Sequence, residues 1–254
     1  MNNGQIPYWE LLTELDSADS GRLERNVERW LSANAPERKW LTKMQQTNGK
    51  SIPPMPIEEI WRLYALSRVA DALITRMAKD SGCTRAYAKF MEGNGLSTIV
   101  ADRFHPFFHE IVAVVASEDN DAPITVTNII WPGFMCGSLL IARAGVSVSG
   151  GTNNITKDIA ENSTLYWCYR RANRPTEDLS LGWGHNSQWR TGFRRDYFVD
   201  GQFHYNVDGK PALDDSELSQ SQQVELLRHR CFVTTSRPHA DLWPYAIRHC
   251  EAAP

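Results

Sequence analysis

The sequence predicts an α+β protein in which helices pack on antiparallel sheet, and three observations carry that expectation. A charged N-terminal third with helical spacing stops at Gly82-Cys83-Thr84; short strand-like runs then follow one another directly; a helical stretch and a hairpin come after them. Over 8–40, apolar residues such as Leu23, Val27 and Leu31 recur four apart among many charges, which predicts two short helices. Residues 47–56, with Asn48-Gly49 and three prolines, read as a linker. Pro56, followed by Glu58 and Glu59, opens a helix running toward Lys79. Its broad stripe, from Ile60 and Leu63 to Leu73 and Met77, is suited to packing on a sheet.

After Cys83 the pattern becomes that of strands, at 84–90, 97–102, 110–117, 124–130, 139–142 and 146–149, separated by Gly, Asn and Asp turns. Residues 155–172 are expected to form a helix and 193–208 a hairpin around Asp200-Gly201. A chain of 254 residues suits one main domain with an accessory segment, and 42% hydrophobic with 22% charged residues is an ordinary globular composition. The net charge of −3 gives no electrostatic reason to expect nucleic acid or an anionic membrane as a partner. The polar start lacks the basic and apolar regions of a signal peptide, and no stretch approaches the ~18 apolar residues of a membrane span. Five cysteines, at 83, 136, 168, 231 and 250, are odd in number and show no CxxC spacing. They fit free thiols in a reducing compartment, so a cytoplasmic location is expected.

The chemistry centres on Cys83. Were the chain cut after Gly82, that residue would combine a thiol nucleophile with an α-amine of pKa roughly 8, both halves of a catalytic pair. Glycine before it leaves the preceding carbonyl open to attack by the thiol. The alternative for a single cysteine is an inert buried thiol.

Four further pieces carry a family resemblance: Trp131-Pro-Gly-Phe-Met-Cys-Gly-Ser138, the run 145–155 that ends in Thr152-Asn-Asn-Ile155, residues 170–174, and Gly184-His-Asn-Ser-Gln-Trp189. In order and spacing they resemble the phospholipase B-like (lamina ancestor) proteins. The Gly-Cys-Thr start is similar to the acyl-coenzyme A:6-aminopenicillanic acid acyltransferases, another branch of the cysteine-dependent Ntn hydrolases. The resemblance spans 83–205, roughly half the chain, and departs from the family at Val100-Ala-Asp-Arg-Phe-His105, where a Gly-His element would stand.

The resemblance implies an αββα sandwich of antiparallel sheets at 83–254 behind a helical leader or propeptide at 1–82. It implies self-cleavage before Cys83, and hydrolysis or acyl transfer at an amide or related acyl bond of a small molecule, with no cofactor. Cys83 attacks, its α-amine moves the proton, and Asn153, Asn154 or Asn186 stabilises the oxyanion. Asp102 and Arg103 are placed to fix the α-amine or a substrate carboxylate, Arg171 to bind an anion, and Trp131 to line an aromatic cleft. Each has a plainer alternative: a turn for the asparagines, a loop tie for Asn186, a surface ion pair for Asp102 and Arg103, a solvated arginine, a packing tryptophan.

Three other readings stay open. The same fold can serve a non-catalytic binding protein; Cys136 can pair with His185 in a cysteine hydrolase; His105 and His109, with Glu110 beside them, can hold a metal if they share a helix face.

Overall fold

The computed structural model describes residues 4–47, 51–77, 82–177, 192–211, 217–237 and 247–254. Five helices come first: α1 (Ile6–Ser17), α2 (Ser20–Ala33), α3 (Ala35–Thr47), α4 (Ile57–Met77) and α5 (Gly82–Gly93). Six strands follow: β1 (Ser97–Thr98), β2 (His109–Ala116), β3 (Thr125–Trp131), β4 (Phe134–Cys136), β5 (Leu139–Ala142) and β6 (Ala144–Gly150). The remainder is α6 (Lys157–Asn162), β7 (Leu165–Tyr166), β8 (Thr176–Glu177), β9 (Tyr197–Val199), β10 (Gln202–Tyr205), α7 (Gln220–His229) and β11 (His249–Ala252). The chain is therefore α+β.

The strands form a six-stranded antiparallel sheet in the order β1-β4-β5-β9-β10-β11 and a three-stranded sheet in the order β2-β6-β3. In the second sheet β6 runs antiparallel to β3 but parallel to β2, a departure from the wholly antiparallel expectation. The β9–β10 hairpin turns at Asp200 and Gly201, both at positive φ, as the sequence suggests. α1 packs on α4, and α5 lies against both α2 and α4. Their buried residues form one apolar core with Phe134, Leu139 and Tyr197 of the larger sheet, so the N-terminal helices and the strands share an interior.

Four regions differ from expectation. Residues 84–90 are helix, not strand, because the buried positions Cys83, Ala86, Tyr87, Phe90 and Met91 are spaced by three and four and make one helical stripe. The strand expected at 97–102 is only Ser97–Thr98; Val100 beyond it is 89% exposed and gains nothing by extending the ladder. The helix expected at 155–172 ends at Asn162: Ser163 takes an extended conformation, and Trp167 sits at φ 60°. The run Asn162-Ser-Thr164 is rich in residues that favour caps and turns, and Leu165–Tyr166 pair in parallel with β8. The N-terminal helical region holds three helices before α4 where two were expected.

Candidate functional site

Among the described residues, the side chains singled out in the sequence form no common site. Cys83 heads α5 rather than a strand and is 1% exposed within the helical core. Asn153 and Asn154 lie exposed after β6, held to the turn at 119–122: Asn153 Nδ2 donates to Asp121 Oδ1 (2.7 Å), and Asn154 Nδ2 to the carbonyl oxygens of Asp121 and Ala122. Gly151 lets that turn close, since a Cβ there would strike the Asn120 carbonyl. The two amides thus tie a surface turn and are not aimed at Cys83. Asp102 and Arg103 are exposed in the loop before β2. Asn186, with His185 and Trp189, lies outside the described residues.

Trp131 is a packing residue. Its indole Nε1 donates to the Arg143 carbonyl (3.1 Å) and its ring covers Gly145, where any Cβ would strike the indole. Cys136 is fully buried, its thiol directed to the Leu41 carbonyl and pushed up to about 12 by burial, an environment that disfavours the thiolate. His105 and His109 flank a turn instead of sharing a helix, and His109 Nδ1 accepts from the His105 amide (3.0 Å). No group of three ligating side chains among the described residues can hold a metal.

What the fold does assemble is a buried charge network between α4, the smaller sheet and α7. Arg171, expected on a helix, sits on irregular chain after β7. Its guanidinium forks onto Glu110 of β2 (Nε to Oε1 2.6 Å, Nη2 to Oε2 2.7 Å) and reaches Asp71 of α4 through Nη1 (2.6 Å). The fork is filled by protein carboxylates and is not open to a substrate. Burial raises the Asp71 carboxyl above its ordinary range despite Arg171, whereas at Glu110 the same penalty is outweighed by Arg171, Arg174 and Arg143, which hold it low.

A second group surrounds Asp196, just before β9. Its Oδ1 accepts from Arg194 Nε (2.7 Å) and the Asn206 amide (2.7 Å), and its Oδ2 from Arg230 Nη2 (3.1 Å), with Arg143 Nη2 at 4.0 Å. Arg143 bridges β5 and β6 and donates to the Arg228 carbonyl; Arg230 caps α7 in the left-handed region at φ 61°. These arginines, central to the interior, were not picked out in the sequence. The signal available was three consecutive charges, Arg194-Arg195-Asp196, in a stretch otherwise read as strand.

One cavity of ligand size lies at the other end of the larger sheet, and a second, of about 520 Å³, lies along α3 beside Arg38, Lys39 and Lys43. The first measures about 450 Å³ and is lined by Ile52, Val207 and Pro211 together with His204 of β10 and Arg248, His249 and Cys250 at β11. His204 and Cys250 are cross-strand partners. Beneath them Tyr205 donates its hydroxyl to Glu251 (2.8 Å), which also accepts from Arg228 (3.0 Å). Four of the five cysteines are buried, and Cys250 is the exposed one.

A cluster of histidines beside α7 makes acid sensitivity an expected property. Phe104 stacks on His109 and His229, and His105 stacks on Phe203 at 4.0 Å. Burial, with Arg228 and Arg143 nearby, lowers His229 to about 3; burial also lowers His105 to about 4, against the opposing pull of Glu251. Both pKa values fall on folding, so the unfolded chain binds more protons below pH ~6.5 and stability drops as pH falls toward 4. Between pH 7 and 5 the two histidines should remove about 2–4 kcal/mol, visible as a thermal midpoint lower by about 5–15 °C. A midpoint unchanged over that interval would mean that these rings protonate in the folded state.

The fold and these two sites define an α+β protein with a charged interior and a separate surface pocket. Comparison with protein families, with curated proteins and with solved structures finds no match. No described helix is long and apolar enough to cross a membrane.

Proposed function

We propose that the chain is a small-molecule-binding protein whose ligand enters the pocket at β10 and β11. The observation that carries this reading is the pocket's combination of size and lining. Its volume of about 450 Å³ lies within the ~300–1,000 Å³ common for ligand sites. Ile52, Val207 and Pro211 offer an apolar wall, while Arg248, His204 and His249 offer polar groups. Such a lining suits a small amphipathic anion, its hydrocarbon part on the apolar wall and a carboxylate at Arg248. Hydrolysis of the kind implied by the resemblance has less support, because an Ntn arrangement needs its nucleophile at the head of a strand and Cys83 heads a helix.

Thiol labelling tests both readings in one protein. Iodoacetamide under folding conditions is expected to modify Cys250 and to spare Cys83, Cys136, Cys168 and Cys231, which are 0–3% exposed. Intact mass should show one uncut chain. A panel of aliphatic and aromatic carboxylates should contain members that slow the Cys250 reaction and raise the thermal midpoint, with both effects weakened in Arg248→Met. Failure of every member would remove the binding proposal. Cleavage between Gly82 and Cys83, with early labelling of Cys83, would favour the hydrolase instead.

A further inference from the structure

The charge network holds more guanidinium than carboxylate. Arg143, Arg171 and Arg230 line a cavity of about 30 Å³ with Asp71 and Glu110; Asp196 adjoins it through its pair with Arg230, and Arg194 through its pair with Asp196. Four arginines therefore meet three carboxylates, one positive charge in excess. Arg174, also buried and held by the carbonyls of Ile111, Ala160 and Ser163, adds to that surplus. The hydrogen bonds are uneven in the same sense. Asp71, Glu110 and Asp196 are well supplied with donors, yet Arg143 Nε and Nη1, Arg194 Nη1 and Arg230 Nε are buried with no hydrogen-bond partner among the described residues. Arg143 is 4% exposed, Arg194 5% and Arg230 9%. Leaving a buried charged donor unmet is costly, and several in one place call for an acceptor that carries negative charge.

We infer that a small inorganic anion, for which chloride serves as the probe, binds in this cavity, on Arg143 and Arg230. The unmet donors supply its ligands, and the surplus of guanidinium over carboxylate sets its sign. A cavity of about 30 Å³ has room for a monatomic ion. Burial and the neighbouring guanidinium groups depress Arg143 to about 9, whereas Asp196 holds Arg230 raised against the same burial. This site is separate from the surface pocket, and its anion would bind whether or not that pocket takes a ligand.

The test compares thermal unfolding of the full chain in sodium chloride and in sodium gluconate at equal ionic strength. Chloride is expected to raise the midpoint along a saturable curve, by about 5–10 °C at a hundredfold excess over its Kd, and gluconate is not. Coincident curves overturn the inference. Crystals of the unaltered protein grown in sodium bromide give a second measurement that needs no variant. An anomalous peak within hydrogen-bonding reach of Arg143 and Arg230 supports the site, and a feature without anomalous signal, meaning water only, overturns it. In Arg143→Met the chloride dependence should be lost; should that variant fail to fold, the bromide measurement decides.

Discussion

Asp196→Asn is expected to cost about 3–5 kcal/mol, the range for removing one partner from a buried ion pair, and to lower the thermal midpoint by about 6–20 °C. Asp196 is fully buried, and burial alone would raise its carboxyl; Arg194, Arg230 and Arg143 outweigh that and hold it low. Asparagine keeps the shape, and its oxygen can still accept from Arg194 and Asn206. Its amide nitrogen then faces Arg230 Nη2, a donor against a donor, and the three guanidinium groups lose their shared countercharge. The informative comparison is Arg194→Met. It removes a larger set of contacts, including the packing of the guanidinium over Trp167 at 4.2 Å, but relieves the surplus of positive charge. Urea unfolding should therefore find Asp196→Asn the more damaging of the two. The reverse order would mean that hydrogen-bond geometry, not charge balance, limits this cluster.

Elements whose own residues determine them were legible in the sequence. α4 announces itself through Pro56, an acidic first turn and Arg76 in its last turn, and the hairpin through Asp200-Gly201. Strands β2, β3, β5 and β6 fall within about two residues of the runs read as strands, because their apolar spacing is local. α5 resembles a strand in sequence because Ala86, Lys89 and Phe90 fit a short alternation as well as a helix, and the deciding partners are distant. Lys89 bonds Glu24 (2.8 Å) and Glu28, both on α2, and α5 buries its stripe in the helical core. The site was less visible still. Asp71, Glu110 and Arg171 stand on three separate elements, and Arg143, Arg194 and Arg230 are similarly dispersed, so no spacing rule joins them. The asparagine pair at 153–154 was prominent as a motif, yet a motif does not distinguish an oxyanion donor from a turn, and the Asp121 contacts favour the turn.

Arg171→Met should bring a loss of similar size, and here pH separates an electrostatic cause from a packing one. In the parent protein Arg171 neutralises two buried carboxylates, with Glu110 held low and Asp71 raised only against that opposition. Glu110's contribution is present above its unfolded pKa and declines as pH falls through its lower folded value. Without the guanidinium, burial and mutual repulsion raise both carboxyls, so the folded variant binds more protons than the unfolded chain and loses stability as pH rises. The difference between parent and variant is therefore expected to be largest above pH ~5, at about 3–5 kcal/mol, and to shrink as pH approaches 4. The histidines impose the same acid loss on both proteins and cancel in that difference. Adding Glu110→Gln to Arg171→Met removes one stranded charge and should recover part of the loss at pH 7, giving a favourable coupling in the double-mutant cycle. A difference independent of pH, with no recovery in the double variant, would show that Arg171 matters through its packing against Trp131, 5.7 Å away, and not through the carboxylates it joins.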